Sequence, residues 1–242
     1  MKPYFQNDLI TLYNAPCEEV LPNLAPNSVD LVFTSPPYNL SGLRKVHSGS
    51  DWNGLNEGYS SYDDAMPPGE YLKWQRNVLS LCWDTLTPTG AIFYNHKTIL
   101  RDGIAHLPFD LIGDLPLRQV LIWDRHSGHI NTPWYYTPSF EWILVVAPIG
   151  FRLAKLGIFD VWKCNFETKS AHPAPFPVSL PAKAIETVEG VGTVLDPFAG
   201  SGTTLVAAQS AGVKAIGIEL DESYCELAAS RLQQMAFNFG GA

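Results

Sequence analysis

A doubly wound α/β domain with a mostly parallel sheet is the fold this sequence predicts, on three observations. Short apolar runs rich in β-branched and aromatic residues punctuate the chain: "LITLY" (9–13), "VDLVFT" (29–34), "AIFYN" (91–95), "QVLIW" (119–123) and "FEWILVV" (140–146). Segments of helical period lie between them. The stretch "TVLDPFAGSGTTLVAAQSAGVKAIGIELDESYCELAASRL" then reads as strand 193–195, a glycine-rich turn, helix 202–211, strand 213–219 and helix 221–233. Strands that alternate with helices pair in parallel, and such sheets hold ligands at the carboxyl ends of their strands.

The remaining elements follow in order. A short helix at 17–24 joins the first two strands. Residues 39–66, "NLSGLRKVHSGSDWNGLNEGYSSYDD" and its flanks, are rich in Gly, Ser, Asn and Asp and read as a long mobile loop, of the kind that is usually functional. A helix starts near Pro68, whose ring suits a first turn, and "TPTG" (87–90) ends it. Its stripe of Tyr71, Trp74, Val78, Leu79, Cys82 and Leu86 reads as core packing. Residues 178–189 form a further helix.

With 242 residues, 46% of them hydrophobic, residues 1–242 are expected to share one core. No apolar run of membrane-spanning length occurs, and "MKPYFQNDLITLY" lacks a signal-peptide layout, so a cytoplasmic setting is expected. The four cysteines, at 17, 82, 164 and 225, show no CxxC spacing, which argues against a metal site or a disulfide framework. A net charge of −8 by itself disfavours a nucleic-acid binder. The charge is uneven, however. Arg44, Lys45 and His47 lie in an acid-free stretch, and Arg118, Arg125, Arg152, Lys155, Lys163 and Lys169, with His126, His129 and His172, face four acids between 118 and 172.

"DPFAGSGTT" (196–204) follows a strand and opens a helix, where glycines allow tight turning and free N–H groups face a ligand. It lacks the Lys of a P-loop and the third glycine of a dinucleotide fingerprint. Glu219, ending the next strand in "GIEL", is placed to accept hydrogen bonds from ribose hydroxyls. These residues resemble motif I of S-adenosylmethionine-dependent methyltransferases, in the form found in amino-methylating DNA enzymes. The resemblance implies that Asp196, Phe198, Ala199, Gly200, Ser201, Gly202, Thr203 and Glu219 line a pocket for S-adenosyl-L-methionine.

"SPPY" (35–38) after the strand 29–34 resembles motif IV of N4-cytosine and N6-adenine methyltransferases. Methylating an exocyclic amine needs no metal, but the nitrogen lone pair is delocalised into the ring. Acceptors for the amino hydrogens push that nitrogen toward sp³ character and fix its position. The Ser35 hydroxyl and the Pro36 carbonyl can accept, Pro36 and Pro37 stiffen the turn, and Tyr38 offers a stacking face to a flipped base.

"HPAPFPVSLPAKAIE" (172–186) resembles motif X, which implies that Pro173 and Pro175 sit near the methionine end of the cofactor and that His172 is a structural member of that turn. The order of motifs IV, X, I and II matches the β class of DNA amino-methyltransferases, whose motif order is circularly permuted within a Rossmann-like fold. The class implies double-stranded DNA as partner, with a homodimer and a cognate restriction endonuclease as further expectations. Ser at the first position of motif IV leans toward N4 of cytosine, with N6 of adenine the alternative and a non-catalytic, cofactor-binding subunit a third reading. DNA recognition falls to 39–66 and 124–171, with Arg44, Lys45, Arg125, His129, Arg152 and Lys155 as candidate contacts.

Two features depart from the class. Pro16 stands where an Asp is common, leaving Asn14 or a backbone group to replace it. "PC" (16–17) superficially resembles the nucleophile of C5-cytosine enzymes, but its position makes Cys17 a small buried side chain.

Overall fold

The computed structural model describes residues 1–40, 65–101, 103–126, 133, 135–164 and 176–239. In chain order the elements are β1 (Phe5–Gln6), β2 (Ile10–Asn14), α1 (Cys17–Val20), β3 (Val29–Thr34), α2 (Pro68–Thr85), β4 (Leu86–His96), β5 (Ile99–Arg101) and β6 (Ile104–His106). They continue with β7 (Leu117–Asp124), β8 (Phe140–Val146), β9 (Val161–Lys163), α3 (Ser179–Thr187), β10 (Thr193–Asp196), α4 (Thr203–Ser210), β11 (Lys214–Glu219) and α5 (Glu222–Phe239). Single 3₁₀ turns follow α1, at Leu21–Asn23, and precede β7, at Pro108–Ile112.

Nine strands form one sheet in the order β1-β2-β11-β10-β3-β4-β8-β7-β9. The run from β2 to β4 is parallel throughout, whereas β8 pairs antiparallel with both β4 and β7. The expected mostly parallel α/β architecture is therefore present. The strand order reverses at β10, from which the chain runs through α4 to β11 on one side while β3 lies on the other. Such a reversal opens a crevice at the carboxyl ends of the strands.

Successive side chains of the central strands point to opposite faces, and each face has its own helical cover. Leu31, Phe33, Val194 and Phe93 pack under α3, α4 and α5 through Leu180, Leu205 and Leu232. Val32, Leu195, Ile218 and Tyr94 pack under α1 and α2 through Val20, Val78 and Cys82. Phe33, wholly buried against Phe93 and Phe176, is the anchor beneath the site. Truncating it to Ala would cost about 3–5 kcal/mol.

Several boundaries differ from expectation. The first helix is a single α turn continued by a 3₁₀ turn, because Pro22 lies within it. Residues 86–90 begin β4 instead of ending α2 as a turn, since Val29 pairs with Leu86 across a register shift in β3. The hairpin β5–β6 and the two- and three-residue strands β1 and β9 carry too few residues for periodicity to reveal them. Among the described residues no helix is long and apolar enough to cross a membrane.

Candidate active site

The residues singled out in "SPPY" and "DPFAGSGTT" meet at the carboxyl ends of β3 and β10, which are hydrogen-bonded neighbours. Thr34, the last residue of β3, donates its hydroxyl to Asp196 Oδ1 at 2.8 Å. The same oxygen accepts from Phe198 N at 3.1 Å, which turns the chain out of β10. Asp196 is wholly buried, and burial pushes its carboxyl up to about 6 against the hydrogen bonds that favour its charge.

The glycine-rich turn is built for left-handed backbone. Gly200 has φ +49° and Gly202 φ +79°. A Cβ on Gly202 would sit 2.8 Å from Ala228 Cβ of α5, so no other residue fits at this crossing. Ser201 and Thr203 are buried, and Arg231 of α5 donates to Ser201 O at 2.6 Å and to Ser201 Oγ at 3.1 Å, clamping the turn from behind. Buried Ala199 donates to Ile218 O at 2.9 Å, tying the turn to β11. Glu219, at the end of β11, accepts Gly200 N at 2.7 Å on one oxygen and Asp221 N at 2.8 Å on the other; burial raises its pKa above the ordinary carboxylate value.

The rim of this turn fits a nucleoside cofactor. Asp196 Oδ2 is buried with no hydrogen-bond partner among the described residues, and each Glu219 oxygen keeps a further lone pair. The half-buried Phe198 ring meets Trp74 edge-on at 5.5 Å, forming an aromatic wall. Trp74 Nε1 in turn donates to Glu18. Asn14 donates from Nδ2 to Glu219 O and Leu220 O at 3.1 and 2.9 Å, so it braces the end of β11, while Pro16 caps α1 without a side-chain hydrogen bond. Cys17 is buried and its thiol pKa is raised far above the usual value by burial, as expected of a packing residue.

At the other lip, Ser35 Oγ lies 2.6 Å from Tyr38 Oη. Tyr38 Oη also reaches Asn95 Oδ1 at 3.2 Å and Glu141 Oε2 at 3.1 Å. Arg125 holds the other carboxylate oxygen, Glu141 Oε1, at 2.9 Å, and donates to Pro138 O at 3.0 Å. The Tyr38 ring lies against His96 with centroids 4.6 Å apart, and Lys97 Nζ lies 5.0 Å from its centroid. The proline turn is pinned from α2, where Tyr71 Oη donates to Pro37 O at 2.8 Å and lies 3.0 Å from His96 Nε2. Buried His96 is held neutral, its pKa lowered to about 4 by desolvation; its Nδ1–H donates to Lys97 O at 2.8 Å. Just after Tyr38, Asn39 Nδ2 donates to Met66 O at 2.7 Å, joining the two described ends of the 39–66 segment.

The candidate DNA contacts scatter. Arg44, Lys45 and His129, and the motif X residues His172, Pro173 and Pro175, lie outside the described residues. Arg125 does not stand open to solvent as a surface contact would; it is half-buried and paired with Glu141 beside Tyr38. Arg152 and Lys155 do not join the site. Glu189 N bonds Arg152 O and Ala154 N bonds Thr187 O, at the end of α3 that leads into the amino end of β10. Lys155 is paired there with Glu186. The range 124–171 is also not loop throughout, since it contains β8 and β9.

The residues of the site outside the sequence candidates include Asn95, His96, Glu141 and Tyr71. Each had a signal. Asn95 and His96 are polar residues at the carboxyl end of an apolar strand, Glu141 is the lone charge in "FEWILVV", and Tyr71 belongs to a stripe whose period indicates core packing.

The chain matches the DNA methylase family over residues 29–158 and 152–230. It belongs to the N6/N4 DNA methylases. Among curated relatives of this methylase, type II methyltransferase M.BglII of Bacillus subtilis is 28% identical over 260 residues, covering 90% of this chain and 67% of its own. Type II methyltransferase M2.DpnII of Streptococcus pneumoniae is 27% identical over 257 residues, covering 96% and 92%. In fold, PvuII DNA methyltransferase (cytosine-N4-specific) superposes with a TM-score of 0.75 at 19% identity, covering 95% of this chain and 88% of that one. M1.HpyAVI, crystallised with S-adenosylmethionine, gives 0.63 at 19%, covering 92% and 100%. Membership of this family makes the chain a DNA amino-methyltransferase.

Proposed function

We propose that this methylase transfers the methyl group to the N4 amine of a cytosine flipped out of duplex DNA at a specific site. The observation that supports the roles of the two motifs is the Thr34–Asp196 hydrogen bond, which holds the end of β3 against the turn after β10. Ser35 and the Pro36 carbonyl accept the two amino hydrogens, and the Tyr38 ring is the stacking face for the base. Asp196, Phe198, Gly200, Gly202 and Glu219 hold the cofactor, with Ala199, Ser201 and Thr203 shaping the turn. Bound there, S-adenosylmethionine supplies an electrophilic methyl on a sulfonium, which the amine takes in one displacement that releases S-adenosylhomocysteine and a proton. Ser35 and Tyr38 are half-buried, and the fixed polar groups around them, Asn95 and Glu141, hold the hydrogen bonds that orient the amine.

The choice of cytosine rests on Ser35 at the first position of the motif. The adenine reading has its own support: DNA adenine methyltransferase YhdJ of Escherichia coli is 24% identical over 271 residues. Kinship with type II methyltransferases supports a cognate restriction endonuclease as companion.

Nucleoside mass spectrometry of DNA from cells expressing the chain tests this reading. N4-methylcytosine is expected, and Ser35→Ala should reduce it by about 10²–10³-fold. N6-methyladenine alone would overturn the choice of base. Transfer of tritiated methyl to RNA or protein but not to duplex DNA would overturn the substrate.

A further inference from the structure

We propose that Glu141, held by Arg125, is a positioning residue that sets the direction of the hydrogen-bond chain running through Tyr38 to Ser35, so that Ser35 faces the target amine as an acceptor. The inference rests on the amine-binding role of Ser35 proposed above.

The argument is a proton count. Tyr38 Oη has one proton and, among the described residues, is hydrogen-bonded to Ser35 Oγ at 2.6 Å, Glu141 Oε2 at 3.1 Å and Asn95 Oδ1 at 3.2 Å. Glu141 Oε2 belongs to a carboxylate, which only accepts. Asn95 presents its oxygen to Tyr38 because its Nδ2 donates to Trp142 O at 3.0 Å. Two of the three neighbours therefore require the phenol proton, and neither can return one. Were that proton directed at Ser35, both buried acceptors would face a phenol lone pair. The phenol donates toward the carboxylate side, and the 2.6 Å contact is then made by the Ser35 hydroxyl donating to Tyr38.

This direction matters because a hydroxyl can either donate or accept. An amine about to be methylated presents N–H groups, and a serine whose proton pointed at it would repel it. With its proton committed to Tyr38, Ser35 keeps both lone pairs for the amine. Arg125 completes the device from behind: Nη1 holds Oε1 at 2.9 Å, Nη2 is fixed to Pro138 O at 3.0 Å, and the carboxylate is turned so that Oε2 meets Tyr38. Glu141 comes from β8, the only strand antiparallel to both of its neighbours among those bordering the site, so this carboxylate reaches the pocket from the start of its strand instead of the end.

The test compares Tyr38→Phe, Glu141→Gln and the double variant by steady-state methylation of unmethylated genomic DNA with tritiated S-adenosylmethionine. Tyr38→Phe keeps the ring and removes the relay, and Glu141→Gln offers an amide that can donate and reverse the chain. Each single variant should lower kcat about tenfold with KM for DNA and cofactor affinity little changed. The double variant should be no slower than the worse single one, because both break the same chain. Multiplied losses of about a hundredfold, or wild-type kcat in Glu141→Gln, would overturn the relay. If Glu141→Gln does not fold, the charge-balanced Arg125→Met/Glu141→Gln pair takes its place in the same comparison. A wild-type chain that transfers no methyl to DNA overturns the underlying reading as well, an outcome distinct from an active wild type with an unaffected Glu141→Gln.

Discussion

The Thr34 hydroxyl and Asp196 Oδ1 lie 2.8 Å apart, both wholly buried, and join the strand that leads to Ser35 to the strand that enters the Gly200–Gly202 turn. Thr34→Val keeps the shape and removes the donor. It should cost about 1–3 kcal/mol in urea unfolding and weaken both cofactor affinity and turnover. Thr34→Ser should restore all three. Unchanged cofactor affinity by calorimetry in Thr34→Val would show that the bond does not couple the two motifs.

Asp196 carries a pH signature of its own. Its folded pKa of about 6 lies above the ordinary 3.8, so the folded state holds this proton more tightly. Its contribution to stability is full below the unfolded value and is lost as pH rises through about 6. Asp196→Asn should therefore unfold at higher denaturant than wild type at pH 8, by an amount on the order of 1–3 kcal/mol, and the advantage should shrink toward pH 4. A difference independent of pH would refute the assignment.

His96 acts in the opposite sense. Burial lowers its pKa to about 4 from 6.5, so the unfolded chain takes up the proton first. The stability it contributes is present above 6.5 and is lost as pH falls through about 4. His96→Gln should flatten the decline of melting temperature on the acid side of 6.5. A melting curve that follows wild type through that window would place the acid sensitivity elsewhere.

Two glycines separate strain from space. Gly202 (φ +79°) and Gly212 (φ +69°) share a left-handed backbone, yet a Cβ would strike Ala228 only at Gly202, with nothing within 4 Å at Gly212. Gly212→Ala should cost about 1 kcal/mol and leave cofactor binding intact. Gly202→Ala adds the clash, so its cost should rise to about 2–4 kcal/mol, with lost affinity as the turn shifts from α5. Equal effects in urea unfolding would mean that α5 yields.

Much of this arrangement was legible in the sequence because it follows local rules. The five apolar runs named at the outset all became strands, and "DPFAGSGTT" announced its turn through the glycines. What escaped was non-local. Nothing near Glu141 in sequence says that Tyr38 lies 103 positions away and 3.1 Å off, or that Arg125, a plausible phosphate contact by charge alone, would be claimed by that carboxylate. The aromatic stripe on α2 read as core because period reports only the face a helix presents. Tyr71 and Trp74 lie on that face but reach Pro37 and Phe198 at the site.

The sheet order has a consequence for how the molecule comes into being. β2 and β3 follow one another in the chain, yet β11 and β10 are inserted between them, so the sheet is completed from within by its last strands. A growing chain on the ribosome holds the "SPPY" strand long before its central neighbour exists, and a site that needs both cannot form piecemeal. Hydrogen exchange on a chain truncated after residue 190 should find the β3 amides that face β10 unprotected. Copies that stop short of β11 should then leave DNA unmethylated, which a methylation assay of the same truncated chain checks.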